Sequence, residues 1–427
     1  TVGKWGSGEV GKGCRAGIAI AMSLLIATPG AAQARRFCAA DNAGLTLPTG
    51  FCAMIVADSV GRARHIAALP NGDLAVALEG NDGGVLVLRD ADGDGVMEAR
   101  RKFGPRGGTG IALGGGYLYF GLDNTILRWR WSDGMFEPAG APETLVTGLM
   151  SRRQHAAKNI VLGNDGSLYV NIGAPANACQ ERDRTPGSPG RDPCTLLDSA
   201  GGIWRFETGR TGQSQADGHR FATGLRNVVS LGKDPATGAL YGVHHGRDDL
   251  GRLWPQLFND QQNAEKPAEE LFRFEDGGNY GWPYCFYDPE LRQKVLNPEY
   301  GGDGHIVGRC AQFRQPLMAF PAHYAPNATA FYRATQFPAV YRGGLFIAFH
   351  GSWNRAPLPQ EGYNVVFVPM ANGVPSGDWT VFADGFRGDR SGQAQHRPCG
   401  LAVAPDGSLY VSDDRAGRIY RISYVGR

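Results

Sequence analysis

The stretch that decides the fold lies near the end of the chain, Pro405-Asp406-Gly407-Ser408-Leu409-Tyr410-Val411, and related stretches recur throughout the sequence. Each copy joins a turn containing Gly, in three copies beside Asp or Asn, to a segment in which apolar residues alternate. Asp-Gly and Asn-Gly suit tight hairpin turns that need a positive φ, and a two-residue alternation is typical of a β-strand. The other copies occupy residues 70–76 and 164–170 and, in weaker form, 115–120, 237–241 and 343–347.

Six such copies predict an all-β chain that forms a six-bladed β-propeller of four-stranded antiparallel blades, with long loops on one rim. A single blade cannot bury both of its faces, so neighbouring blades must stack. Residues 51–56 are predicted to pair with the last blade and close the ring. Long connections such as 174–195 and 250–270 are where function usually lies on a rigid scaffold. A β-sandwich is the alternative, and the number and spacing of the repeats disfavour it.

The first residues resemble a targeting segment. Basic residues precede an apolar run at 16–27, and Ala32-Gln33-Ala34 offers a cleavage site. The run is too short for a transmembrane helix. We therefore predict a signal peptide at 1–34, a propeller domain at 35–427 and a periplasmic or secreted protein; a soluble N-terminal helix is the alternative.

Cysteine content and charge agree with export and exclude one class of partner. Of the eight cysteines, Cys14 belongs to the leader, and an oxidising compartment allows the others to pair. Proximity suggests the pairs Cys38–Cys52, Cys179–Cys194 and Cys285–Cys310, with Cys399 free, although sequence alone leaves other pairings open. A formal net charge of +2 is too small for a nucleic-acid footprint.

A second stretch, residues 222–249, carries polar groups at a density that folding does not require. Arg226-Asn227 follows a Gly-Leu turn, and an arginine matches carboxylates bidentately. The later segment Gly246-Arg247-Asp248-Asp249 offers backbone carbonyls and carboxylates, the hard oxygen ligands that calcium prefers. A structural corner and a solvated turn remain the alternatives for the two motifs.

A histidine lies before the repeat turn at 164–166. His155 is predicted to lie at a blade end, where an imidazole oriented by a neighbour can act as a general base near neutral pH. A packing or surface role is the alternative.

Another acidic run resembles the start of a calcium loop. Asp90, Asp92 and Asp94 lie between apparent strands, and the glutamate expected at position twelve of an EF-hand is absent. We interpret the run as a hairpin turn and leave open whether it holds an ion.

Six motifs in one order make a resemblance specific. The chain contains RQHAAKN at 153–159, GLRN at 224–227, HHGRDD at 244–249, GGNYGWP at 277–283, HGSWNR at 350–355 and HRPCG at 396–400. Together they resemble the glucose/sorbosone dehydrogenase family, over about residues 51–422. Members are exported six-bladed propeller quinoproteins that use pyrroloquinoline quinone (PQQ) and calcium.

The resemblance implies a role for each matching residue. The catalytic residues would be His155 as the base and Arg226 facing both quinone and substrate. Calcium would be held by the carbonyls of Gly246 and Arg247, with Asp248 and Asp249 nearby. The residues expected to contact the cofactor are Arg226, Asn227, His245, Tyr280, Trp353, Arg355 and Arg397.

Two departures from the family pattern bear on the substrate. Glucose dehydrogenases of the family place a lysine against the quinone, and no clear counterpart exists here, so Arg355 is predicted to stand in. His245, the residue before Gly246, stands where those enzymes have an amide side chain. These differences favour the sorbosone or general aldose branch.

The sequence thus predicts a PQQ- and calcium-dependent oxidoreductase that oxidises an aldose or sugar aldehyde and passes electrons to a separate acceptor. A calcium-dependent propeller hydrolase, such as a lactonase, and a non-catalytic carbohydrate- or partner-binding propeller are the alternatives.

Overall fold

The computed structural model describes residues 38–388 and 393–426. Its strands confirm the predicted six-bladed β-propeller. The predicted signal peptide lies outside the described residues. None of the helices in the described residues has the length and apolar character needed to span a bilayer.

The first three blades follow one another along the chain. Blade 1 contains β2 (Arg62–Ala68), β3 (Leu74–Glu79), β4 (Gly84–Arg89) and β5 (Ala99–Phe103), after the initial strand β1 (Phe51–Ala57). Blade 2 contains β6 (Gly110–Gly114), β7 (Tyr117–Gly121), β8 (Ile126–Arg130) and β9 (Glu143–Thr147). Blade 3 contains β10 (Ile160–Leu162), β11 (Ser167–Ile172), β12 (Gly202–Glu207) and β14 (His219–Thr223).

The last three blades repeat the pattern. Blade 4 contains β15 (Gly232–Lys233), β16 (Leu240–His244), β17 (Glu269–Phe274) and β21 (Met318–Phe320). Blade 5 contains β22 (Pro326–Phe331), β23 (Leu345–Phe349), β24 (Asn364–Val368) and β27 (Thr380–Ala383). Blade 6 contains β28 (Pro398–Val403), β29 (Leu409–Asp413) and β30 (Arg418–Tyr424), completed by β1.

Smaller elements occupy the connections. Two-residue strands β13 (Gln213–Ser214) and β18 (Gly278–Asn279) add in parallel to β9 and β14, so the sheets of blades 2 and 3 have five strands instead of the predicted four. Two hairpins stand apart, β19 (Cys285–Asp288) with β20 (Gln293–Leu296), and β25 (Met370–Ala371) with β26 (Val374–Pro375). Helices α1 (Leu250–Leu253) and α2 (Asp260–Glu265) lie between β16 and β17. Short 3-10 helices span Asn42–Gly44, Thr195–Asp198, Gln215–Asp217, Pro298–Tyr300, Gly308–Gln312 and Ala339–Tyr341.

Strand alternation explains the core. Along β3, Leu74, Val76 and Leu78 pack in a cluster with residues of blade 6. The intervening Ala75 and Ala77 pack with residues of blade 2. Each blade is therefore buried on both faces by its neighbours, which excludes a two-sheet sandwich.

The ring closes as predicted. Phe51 pairs with Tyr424 and Ile55 with Tyr420, so β1 becomes the outer strand of the last blade. The predicted bridges Cys38–Cys52, Cys179–Cys194 and Cys285–Cys310 are present, and Cys399 is a buried free thiol.

All six repeat turns join the first and second strands of a blade. Because the strands are antiparallel, these turns lie at one rim of the propeller. The connections from second to third strand, and from fourth strand to the next blade, lie at the other rim. That second rim carries the long connections 174–195 and 250–270 and many of the residues predicted to be functional, whereas Tyr280 lies in the connection from β17 to β21.

Candidate functional site

A cavity of about 440 Å³ opens at the long-loop rim. Among the predicted site residues, those that line it are His155, Arg226, Asn227, His245, Gly246, Asp248 and Trp353. A larger groove of about 1070 Å³ runs beside the segment before β1, but none of the predicted site residues lines it. We therefore assign the candidate site to the smaller cavity.

His155 lies in the connection from β9 to β10, with a positive φ of 54°. Its Nδ1 lies 2.5 Å from the carbonyl oxygen of Ala174. Burial, together with the nearby charge of Arg226, lowers the pKa of His155 to about 3. The ring is therefore neutral at physiological pH, with the proton on Nδ1, and its Nε2 can accept a proton.

A glycine makes room for this imidazole. A Cβ on Gly173, which follows β11, would lie 2.6 Å from the Cβ of His155 and 2.9 Å from Oδ1 of Asn227. The next residue, Ala174, receives the hydrogen bond of His155 at its carbonyl and donates its N–H to the carbonyl of Arg226 at 2.8 Å. The base and the arginine are thus held by one short segment.

Arg226 is fixed by acceptors from the loop after β16. Its guanidinium donates to the carbonyl of Gly246 at 2.9 Å and to Oδ2 of Asp248 at 2.6 Å. Burial opposes ionisation of Asp248, but the cations of Arg226 and Arg184 hold its pKa well below the usual range. Asp248 therefore stays anionic beside the arginine.

A buried ionic chain supports the backbone of Arg226. Its N–H donates to Nε2 of His244 at 2.7 Å, so Nδ1 of His244 carries the proton and lies 3.3 Å from Oε1 of Glu270. Lys294 donates to the other oxygen of Glu270 at 2.5 Å. His244, Glu270 and Lys294 are all buried. This chain fixes the tautomer of His244 and the position of the Arg226 backbone.

The predicted calcium loop is brought only partly to the cavity. Gly246 and Asp248 line it, whereas Arg247 is buried behind it, where its side chain pairs with Glu299 at 2.5 Å. Asp249 begins α1 with a φ of 65°, and Arg184 and Arg252 neutralise its carboxylate. The side chains of Arg247 and Asp249 are therefore committed to ion pairs rather than to the cavity.

Three other predicted residues do not line the cavity. Tyr280 lies in the core with Phe272 and Phe274, and its hydroxyl is bonded to backbone. Arg355 is buried, with its guanidinium donating to three carbonyls of neighbouring loops. Arg397 donates to the carbonyl of Gly351 at 2.9 Å. These contacts place Tyr280, Arg355 and Arg397 outside the cavity lining, and their predicted contact with a cofactor stays a prediction.

Trp353 differs from those three. It lines the cavity and is 66% exposed, so a large aromatic face stands at the entrance. Its neighbour Asn354 donates to Oδ1 of Asp248 at 3.1 Å, which joins the loop after β23 to the loop after β16.

Sequence reasoning missed several residues of the site. Glu269, at the start of β17, accepts from the N–H groups of Gly246 at 2.8 Å and Ala325 at 3.2 Å, and burial raises its pKa to about 8. Arg184 donates to Oδ2 of Asp248 at 2.8 Å. Glu269 gave no signal because it lies within an apparent strand. Arg184 lies in a long loop that also contains Arg182 and Arg191, so its presence in that loop was its only signal.

Three buried nitrogen atoms of residues that line the cavity have no protein partner. Nε of Arg226, Nε of Arg64 and Nδ1 of His245 make no hydrogen bond to any described residue. Unpaired buried polar atoms are costly and rare in native proteins. The cavity therefore has unused hydrogen-bonding capacity beside a cation and suits a polar ligand that carries negative charge.

The separate acidic run forms the predicted hairpin turn. It joins β4 to β5, and Asp90, Asp92 and Glu98 are close enough to share an ion. The carboxylates already accept hydrogen bonds from the turn's own backbone. It lies outside the cavity lining.

A family model described as TrAA12-like matches residues 45–425. The chain belongs to the TrAA12-like family. This TrAA12-like protein is also 24% identical, over 338 residues and 73% of each chain, to a pyrroloquinoline quinone-dependent sugar dehydrogenase from Hypocrea jecorina. It spans about half the length, or less, of two further curated relatives that it matches.

Solved structures share the fold of the TrAA12-like chain. The holo form of the pyranose dehydrogenase PQQ domain from Coprinopsis cinerea superposes with a TM-score of 0.72 at 21% identity, over 89% of this chain and 97% of that one. The calcium structure of the AA12 enzyme from Trichoderma reesei gives 0.73 at 21%, over 89% and 97%. The resemblance to PQQ-dependent aldose dehydrogenases is confirmed at the family level, and no finding singles out the sorbosone branch.

Proposed function

We propose that this protein is a PQQ- and calcium-dependent oxidoreductase that oxidises an aldose or a sugar aldehyde, with sorbosone-like aldehydes among the candidates. The observation that carries the proposal is that Arg226 and His245 contribute two of the unpartnered buried nitrogens in a cavity that also contains the neutral imidazole of His155. The similarity to the PQQ-dependent sugar dehydrogenase of Hypocrea jecorina and to the pyranose dehydrogenase PQQ domain of Coprinopsis cinerea supports it.

The residues present fit the cofactor. PQQ carries several carboxylates, and the guanidinium of Arg226, the amide of Asn227 and the imidazole of His245 would hold it. The carbonyl of Gly246 and the carboxylate of Asp248, which also accept hydrogen bonds from Arg226, offer oxygen atoms of the kind that calcium prefers. When bound, the quinone supplies the two-electron acceptor and calcium the Lewis acid.

The chain's own residues handle the proton and the charge. His155 takes the proton of the sugar hydroxyl at Nε2, since its Nδ1 is engaged by Ala174. Arg226 stabilises negative charge that develops on oxygen, and Asp248 keeps the guanidinium in place. Trp353 offers an apolar face to a sugar ring at the entrance.

The proposal includes export and a separate electron acceptor. Three disulfides support an oxidising compartment.

Reconstitution tests the proposal. Purified protein supplied with PQQ and calcium should reduce an electron-accepting dye when aldoses are added, and omission of either component should abolish the rate. Calcium-dependent lactone hydrolysis without dye reduction would favour the hydrolase. Sugar binding with neither reaction would favour a non-catalytic propeller.

A further inference from the structure

Blade 1 forms the wall of the cavity that lies across the propeller axis from Arg226. Blades 1 and 4 face each other in a six-bladed ring, and blade 1 contributes Arg64 and Glu79 to this far wall. Arg64 belongs to β2, the innermost strand of blade 1. It brings a further guanidinium to the cavity, in addition to those of Arg226 and Arg184.

Arg64 is rigidly oriented. Its Nη1 donates to Oδ2 of Asp414 at 2.6 Å, and Oδ1 of Asp414 lies 2.8 Å from Nε2 of His350. The side chain of Arg64 is 11% exposed and that of Asp414 is 6% exposed. Burial opposes ionisation of Asp414, but His350 and Arg64 hold its pKa well below the usual range. The pair is therefore charged and fixed in place.

One nitrogen of Arg64 remains without a partner. Its Nε is buried and makes no hydrogen bond to any described residue. Arg397, by contrast, donates to the carbonyl of Gly351 and lies 5.1 Å from the ring of Tyr363. Of these two arginines, only Arg64 both lines the cavity and keeps an unused N–H.

We propose that Arg64 is the anion anchor of the far wall and binds a carboxylate group of the quinone cofactor. This inference rests on the proposed function. Asp414 and His350 are positioning residues, because they hold the guanidinium and do not themselves supply the free N–H. Arg226 and Arg64 then bind one polyanionic ligand from opposite sides of the cavity.

The test compares quinone affinity in Arg64→Lys and wild type, by equilibrium dialysis of PQQ with calcium present. Lysine keeps a cation for Asp414 but lacks the Nε–H. Loss of one charge-assisted hydrogen bond should raise the Kd about ten- to a hundred-fold. Arg89→Lys is the matched control, since Arg89 belongs to β4 of the same blade and pairs with Asp73 away from the cavity. It should leave the Kd unchanged.

A second variant guards against misfolding. Asp414→Asn leaves Arg64 intact but weakens its orientation, so the Kd should rise by less than in Arg64→Lys. Thermal unfolding midpoints of the cofactor-free variants establish that each one folds.

The outcomes separate the two proposals. If wild type binds no PQQ, the proposed function fails. If wild type binds PQQ and folded Arg64→Lys binds it equally well, only the anchor is overturned. If Arg64→Lys leaves the Kd for PQQ unchanged but raises the KM for glucuronate and not for glucose, the carboxylate partner is an acidic sugar, which also overturns the assignment to the cofactor.

Discussion

Replacing His155 with alanine should remove the base while leaving the cofactor site largely intact. The imidazole is fixed by one hydrogen bond to Ala174, and its pKa of about 3 keeps Nε2 available at pH 7. His155 is the one histidine in the connection from β9 to β10, residues 148–159. A positioned general base contributes about a hundred- to ten-thousand-fold in rate, or roughly 3 to 5 kcal/mol. We expect His155→Ala to lose turnover on that scale.

The assay separates turnover from cofactor uptake. PQQ is titrated into each variant with calcium present, and dye reduction is measured at saturating quinone. Gln154→Ala is the control, since Gln154 also lines the cavity but offers no base; its turnover should change by less than ten-fold. Equal turnover in His155→Ala and wild type at saturation would remove this histidine from the mechanism.

Three further predictions concern Gly173, Glu269 and Cys399. Gly173→Ala should lower turnover by about a hundred-fold, because the added Cβ would lie 2.6 Å from the Cβ of His155; kinetics at saturating quinone checks this. With its pKa near 8, native Glu269 keeps a proton that the unfolded chain releases near pH 4.5, so stability falls as pH rises between these values. Urea unfolding should show a slope of up to about −1.4 kcal/mol per pH unit that Glu269→Gln lacks; equal slopes would contradict it. Burial raises the pKa of Cys399 to about 12, so iodoacetamide at pH 8 should modify it only in unfolded protein, as mass spectrometry would show.

The propeller could be predicted because its signal is local and repeated. Each Gly-containing turn followed by alternation specifies one hairpin, and all six copies join the first two strands of a blade. The short parallel strands β13 and β18 could not be predicted, since each is a two-residue pairing along a connection. The bridge Cys285–Cys310 followed from proximity alone and is confirmed.

The site was predictable where polar residues cluster in the sequence. Arg226, Asn227, His245 and Asp248 come from one such stretch, and all four line the cavity. Arg64 was missed because a single arginine in a strand gives no signal.

Two residues predicted to contact the cofactor lie outside the cavity lining for a similar reason. Tyr280 lies in the connection from β17 to β21 and Arg355 in the loop after β23, and backbone groups use their polar atoms. A motif locates a loop, and only the fold decides which side chain of that loop reaches the cavity.

The most direct test of the central claim is an anaerobic absorbance spectrum of protein that carries one equivalent of PQQ with calcium. Addition of an aldose should convert the quinone spectrum to that of the reduced form, without any added electron acceptor. Arg226→Met, which removes a guanidinium from the cavity, should bind less PQQ at the same concentrations. An unchanged spectrum in fully loaded wild type, across aldoses and sugar aldehydes, would contradict the proposed function.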